Sequence, residues 1–142
     1  RVLDLYAGTG QLGLEALSRG AEHCTFVDQR REAVALVREN VRLCRFECRS
    51  QVVQKEALSF LPVCREKFGV VFLDPPYQSG LLEKSLEAMT QFDILQEHGI
   101  IVCESGVEWT VPPLEPPYEV GREYRYGQIK LTICRRAGSV KG

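Results

Sequence analysis

Apolar residues along this chain fall into short blocks separated by stretches with helical spacing. Val2-Leu3-Asp4-Leu5-Tyr6 reads as a buried strand running into Ala7-Gly8-Thr9-Gly10. Residues 11–19 follow as a helix, with Leu14 and Leu17 as apolar contacts and Gly20 as its stop. Cys24 to Asp28 is a second strand that ends in an acid. Residues 32–44 have the spacing of an amphipathic helix, on Val34, Val37, Val41 and Cys44. A short third strand over 51–55 leads into a helical turn around 56–61. The fourth strand, over 69–73, is followed by a helix from Leu81 to Gln91 and a fifth strand over 99–104. Pro112-Pro113 and Pro116-Pro117 forbid regular structure and mark a long connection. Two β runs around Gly127, over 118–126 and 128–135, then read as a hairpin.

Strands that alternate with helices and close in a hairpin predict an α/β sandwich on a mainly parallel sheet with an antiparallel end. No repeat, low-complexity tract or linker divides residues 1–142, so a single domain is expected. In such sheets ligands bind beyond the carboxyl ends of the strands. The pattern places Asp4, Asp28, Glu56 and Asp74 at or just after four successive strand ends. Four acids on one rim carry more weight than any single motif.

Composition changes this picture little. The chain has 142 residues, 44% hydrophobic and 26% charged, with net charge −1. No apolar run approaches the roughly 20 residues of a membrane helix. Near-neutral charge argues against a strong whole-molecule field for nucleic acid but leaves room for a local patch. Arg31, Arg38, Arg42, Arg45 and Arg49 would form one basic stripe if their helix persisted, and such a stripe is more often a solvated face than an RNA contact. Arg122, Arg125, Lys130, Arg135, Arg136 and Lys141 leave the same choice open near the C-terminus. The six cysteines show no zinc spacing, and with His23 and His98 far apart no metal site is expected. Cys24, Cys103 and Cys134 lie in apolar runs as small hydrophobes, which suits a reducing, cytoplasmic setting. Trp109, in the proline-rich connection, reads as a packing anchor.

Gly8, Gly10 and Gly13 satisfy G-x-G-x-x-G between a strand and a helix, with Asp28 about 20 residues on, the pattern of a dinucleotide site. An NAD-binding module is one reading. A carboxylate at Asp4, however, would sit badly beside a pyrophosphate and suits a cofactor with an ammonium and a sulfonium. Asp28 would then hold two ribose hydroxyls, or merely cap the next helix. Glu56 would accept from an adenine amino group, or simply favour a helix dipole.

Asp74-Pro75-Pro76-Tyr77 follows the apolar run Val70-Val71-Phe72-Leu73 and has the sharpest chemistry. The exocyclic amines of guanine and adenine are poor nucleophiles because the lone pair is delocalised into the ring. The Asp74 carboxylate and the Pro75 carbonyl, accepting from the amine hydrogens, can free that pair for in-line attack on a sulfonium methyl. Positioning and electrostatics would supply most of the rate. Two prolines hold the turn stiff, and Tyr77 offers a stacking face worth roughly 1–3 kcal/mol per base.

Asp4 to Gly20, Glu56 to Leu61, the tetrad at 74–77 with Leu81-Leu82-Glu83, Glu104-Ser105 and the Gly127-Gln128 hairpin together resemble the RsmD-like family of 16S rRNA guanine-N(2) methyltransferases. The resemblance spans nearly the whole chain, and the long first motif narrows the family, since the tetrad alone is shared by several amino methyltransferases. It implies a Rossmann-like, seven-stranded methyltransferase fold, S-adenosylmethionine as donor, and a guanine of 16S rRNA, free or in an assembling small subunit, as target. Carried over by position, Asp4, Gly8 and Gly10 would cradle the methionine part of the cofactor, and Tyr6, Ala7 and Gln29 would also bind the cofactor. Asp28 would hold the ribose, with Glu56 and the Ala57 backbone at the adenine. Asp74, Pro75 and Tyr77 would receive the guanine amine. A cytoplasmic monomer is expected, together with a family segment before Arg1 that would help bind RNA. The competing readings are adenine amino methylation of DNA, glutamine methylation of a protein, and the non-catalytic NAD module.

Overall fold

A computed structural model describes residues 1–76 and 79–138. Its seven strands are β1 (Val2–Leu5), β2 (Cys24–Asp28), β3 (Ser50–Gln54), β4 (Phe68–Leu73), β5 (Leu95–Gly106), β6 (Tyr118–Tyr126) and β7 (Ile129–Arg136). Between them lie α1 (Gln11–Ser18), α2 (Arg31–Leu43), α3 (Ala57–Phe60) and α4 (Leu81–Gln91). The sheet order is β3-β2-β1-β4-β5-β7-β6. The first five strands pair in parallel, and β7 runs antiparallel to both β5 and β6. The expected mainly parallel sheet with a reversed C-terminal hairpin is what forms.

Side-chain alternation along the central strands separates two cores. Leu3, Leu5, Val27, Val71 and Leu73 belong to the core that α3 and α4 cover, with Leu86 and Met89. Val2, Cys24 and Phe26 face the other way, onto Leu17 of α1 and Val37 and Val41 of α2. Strands covered on both faces need not alternate in polarity, which is why β1 and β2 are buried at every position. Asp4 occupies a core position in β1 and is paired in register with Phe26 and Phe72 on either side.

The chain builds outward from β1 to β3, then crosses back to place β4 on the other side of β1. That reversal opens a crevice at the carboxyl ends of β1 and β4, where ligands of such sheets bind. The far edge, β6, is mostly exposed and carries Glu119, Arg122, Glu123 and Arg125, charges that discourage strand addition. Strand β5 is longer than expected: it begins at Leu95, and its pairing with β4 shifts register between Phe68 and Val70.

The basic stripe does not persist. Helix α2 ends at Leu43, and Arg45 adopts a left-handed backbone. Arg49 turns inward instead, donating to the carbonyls of Ala21 (3.0 Å) and Leu17 (3.2 Å) and stacking on Phe46. It caps the carbonyl end of α1. Two of the C-terminal basic residues are structural as well. Lys130 is buried and donates to the Trp109 carbonyl, and Arg136 forks onto Asp93 at 2.8 and 3.2 Å. Lys141 lies outside the described residues.

Candidate active site

The loop from β1 to α1 turns in five residues and uses three left-handed positions, Tyr6, Gly8 and Gly10. Glycine adopts that conformation freely; Tyr6 does not, and its hydroxyl is tied to the buried Ser85 of α4 at 2.7 Å. Gly13 serves closeness rather than turning. A Cβ there would lie 2.4 Å from Phe26 and 2.7 Å from the Cys24 sulfur, so only glycine lets α1 sit on β2. This seats the helix N-terminus over Asp4, whose Oδ2 accepts the Gly13 N–H at 3.0 Å.

Asp4 is 2% exposed. Burial pushes its carboxyl up to about 7; the Gly13 N–H opposes the shift, while the charges of Asp74 and Asp28 add to it. Burial thus favours the neutral form of this carboxyl, and a cationic group placed against it would favour the ionised one.

Asp28, 7% exposed, ends β2 and stands in a different environment. Its Oδ1 accepts from the Arg30 N–H (2.9 Å) and Arg30 Nε (3.2 Å). Its Oδ2 accepts from the Gly8 N–H (3.0 Å) and Arg30 Nη2 (3.3 Å). Burial raises its pKa, but the Arg30 side chain and the two backbone N–H groups outweigh that and hold it below the ordinary carboxylate range. Asp28 is not the cap of α2, whose N-cap is Arg30 with no side-chain capping hydrogen bond; through the Gly8 N–H its carboxylate closes the glycine loop instead. Glu56 immediately precedes α3 and makes no capping hydrogen bond with its side chain.

Asp74 follows β4. In the parallel pairing of β4 with β5, Leu73 is opposite Cys103, so Asp74 and Glu104 come next side by side. Their carboxyls are within hydrogen-bonding reach. Burial, then the hydrogen bond and charge of Glu104, push Asp74 up to about 7.

These groups line one cleft of about 680 Å³, within the usual range for small-molecule sites. Its walls include Asp4, Tyr6, Ala7, Gly8, Asp28, Gln29, Glu56, Ala57, Asp74 and Pro75, so nearly all the expected residues converge. Gly10 is not among the lining residues; a Cβ at this position would meet Phe26 and Val37, and its role is the turn. Tyr77 lies outside the described residues. Sequence patterning missed Arg30, Lys55 and the position of Glu104 on this wall. Only the motif logic of an acid at the end of β5, one strand beyond Asp74, could have pointed to Glu104.

A second cavity, of about 440 Å³, opens beyond the tetrad and is lined by Glu83, Ser105, Gly106 and Trp109, among others. Pro75, Pro76 and Glu104 line both. Trp109 packs against the core and its indole N–H donates to Glu83, so it is an anchor as expected and also a wall.

A seven-stranded sheet with this reversal, and a cleft at the switch between β1 and β4, defines the Rossmann-like fold of S-adenosylmethionine-dependent methyltransferases. The family described as "Conserved hypothetical protein 95" matches residues 1–135, and the chain belongs to this family, the RsmD-like methyltransferases. It is 36% identical over 141 residues to a Bacillus subtilis (strain 168) protein named "Putative rRNA methyltransferase YlbH", covering 97% of this chain and 77% of that one. To ribosomal RNA small subunit methyltransferase D of Escherichia coli (strain K12) it is 33% identical over 134 residues, 94% of this chain and 67% of that protein. A solved Streptococcus pyogenes structure, described as a conserved hypothetical protein, superposes with a TM-score of 0.88 at 32% identity, covering 96% of this chain and 85% of that one.

Proposed function

We propose that this protein transfers a methyl group from S-adenosylmethionine to the exocyclic N(2) amine of a guanine in 16S rRNA. The observation that carries the reading is the junction of two cavities at Pro75, Pro76 and Glu104, with Asp74, Asp4, Asp28 and Glu56 arrayed along the first. The donor set suits that cofactor. Asp4, buried at the base of the glycine loop, would pair with the ammonium. Asp28 would hold the ribose hydroxyls once Arg30, which is well exposed, swings away. Glu56 and the Ala57 backbone would meet the adenine, with Tyr6, Ala7, Gly8 and Gln29 closing around the rest.

When bound, S-adenosylmethionine supplies an electrophilic methyl, whose bond to sulfur breaks as the amine nitrogen bonds to carbon, the electron pair leaving on sulfur and a proton leaving the nitrogen. Asp74 and the Pro75 carbonyl accept the amine hydrogens and turn its lone pair toward the first cavity. The rigid prolines fix that geometry before the base arrives, so the stabilisation requires little reorganisation. The Asp74 carboxyl is the nearest acceptor for the departing proton. Tyr77 would stack on the base.

The similarity to small-subunit methyltransferase D supports a ribosomal substrate, in the cytoplasm, as naked rRNA or within an assembling particle. We take residues 1–142 as one monomeric catalytic domain. The test uses the full-length protein. Calorimetry should show S-adenosylhomocysteine binding, and labelled methyl should appear as N2-methylguanosine in undermodified small subunits or their naked rRNA. Binding of NAD in preference to S-adenosylhomocysteine, or transfer to adenine in duplex DNA, would overturn the reading.

A further inference from the structure

Asp74 is the expected acceptor for the amine; its partner Glu104 has no role in that account. Yet Glu104 is held as firmly. It lies in β5 opposite Leu131 of β7, one position past the last paired residue of β4, and its neighbour across the parallel pair is Asp74. It also lines both cavities, while Asp74 lines the first, so a base that brings its amine to Asp74 from the second cavity would meet Glu104 beside it.

The chemistry of that neighbouring atom separates the purines. Guanine presents its 2-amino group next to a ring N1–H, two donors side by side. Adenine presents its 6-amino group next to a bare N1, a donor beside an acceptor. Asp74 and Glu104 are in reach of one another, and no Lys, Arg or His among the described residues lines the second cavity, where Glu104 stands; two such acceptors complement the first edge and not the second. Trp109, held by Lys130 at its carbonyl and by Glu83 at its indole, forms a fixed wall of the second cavity.

We propose that Glu104 is the specificity-determining residue of the acceptor pocket: with Asp74 on the exocyclic amine, Glu104 accepts the adjacent ring N1–H of guanine. This rests on the guanine reading above and adds how guanine is chosen. A bound base that covers a half-buried acceptor without giving it a donor is rejected strongly, because the unmatched group is then desolvated for nothing.

The test uses small-subunit rRNA in which the guanine that the wild-type protein methylates is replaced by 2-aminopurine. This base keeps the 2-amino group but has a bare N1. The wild type should disfavour 2-aminopurine on the order of 100-fold in kcat/KM. Glu104→Gln, whose amide N–H can donate to a bare N1, should narrow the ratio to about tenfold or less while S-adenosylhomocysteine affinity stays within about twofold. A wild type that accepts 2-aminopurine as readily as guanine overturns the assignment without any variant. So does a Glu104→Gln protein that binds S-adenosylhomocysteine normally and slows on both bases alike. Methylation of adenine rather than guanine by the wild type would instead overturn the guanine reading, and this assignment with it.

Discussion

Asp28 and Asp74 end the two strands that flank β1, on the same rim, yet their carboxyls are pushed in opposite directions. Both are drawn upward by burial. The difference is made two residues further on. Asp28 accepts the backbone N–H of Arg30, the second residue after it, and then the guanidinium of the same residue. The second residue after Asp74 is Pro76, which has no N–H to give. Its partner is another acid, Glu104. One aspartate is held toward its ionised form by three donor groups; the other, among the described residues, has a second acid as its neighbour. A Pro-Pro turn is therefore more than a stiffener: it withholds the hydrogen bonds that would quench the acceptor.

The sharpest break of this comparison is a pair of substitutions with opposite signatures. Asp74→Ala should reduce methyl transfer by roughly 10³-fold or more, the scale of losing a preorganised transition-state contact, while cofactor affinity stays within about tenfold. Asp28→Ala should do the reverse, weakening S-adenosylhomocysteine by more than about tenfold and leaving kcat at saturating cofactor within a similar factor. Calorimetry and steady-state kinetics on the two variants measure both. Equal effects of either change on both quantities would merge the two halves of the rim.

Pro76→Ala tests the cause. It restores a backbone N–H at the position from which Asp28 receives one. A hydrogen bond to a carboxylate favours its ionised form, so the midpoint of Asp74, raised to about 7, should fall by about one pH unit. Because the ionised form is the acceptor, wild-type activity should rise as pH climbs through about 7, and the variant should reach its plateau at lower pH. The stability signs follow. Asp74 and Asp4, raised in the folded state, stabilise it fully only below the ordinary 3.8 and lose that contribution as pH rises through about 7. Asp28, lowered, contributes above the ordinary value and loses it as pH falls through its folded one. An unchanged pH profile in Pro76→Ala would mean that proline acts through shape alone.

Much of this was legible in the chain because the signals were local. Strand ends and the glycine loop are fixed by nearest neighbours, so Asp4, Gly8, Asp28 and Asp74 converge where the pattern put them. Gly13 was written as one glycine of a fingerprint, but its reason, the 2.4 Å approach to Phe26, belongs to a packed pair of elements. The arginine stripe failed for the converse reason. Spacing along a line assumes the helix continues, and the left-handed Arg45 ends it before Arg49, whose partners Leu17 and Ala21 are about 30 residues away. Glu104 was hidden most deeply, since its meaning comes from register between β4 and β5 and no spacing within one strand records register.

The smallest effect concerns Arg30, and it refines the electrostatic half of the comparison. Its guanidinium occupies both oxygens of Asp28, the atoms a ribose diol would need. Its side chain is 58% exposed while Asp28 is 7% exposed, so water screens the guanidinium half of the pair and keeps the bond near the roughly 0–1 kcal/mol of exposed pairs. The backbone N–H groups of Gly8 and Arg30 remain on Asp28 whatever the side chain does. Arg30→Ala should therefore leave Asp28 ionised and free its outer face. We expect S-adenosylhomocysteine to bind more tightly by less than about fivefold, with the difference shrinking as salt is raised, because the competitor removed is a screened surface charge. A loss of affinity greater than tenfold would assign Arg30 a direct contact with the cofactor and make the guanidinium part of the site rather than its placeholder.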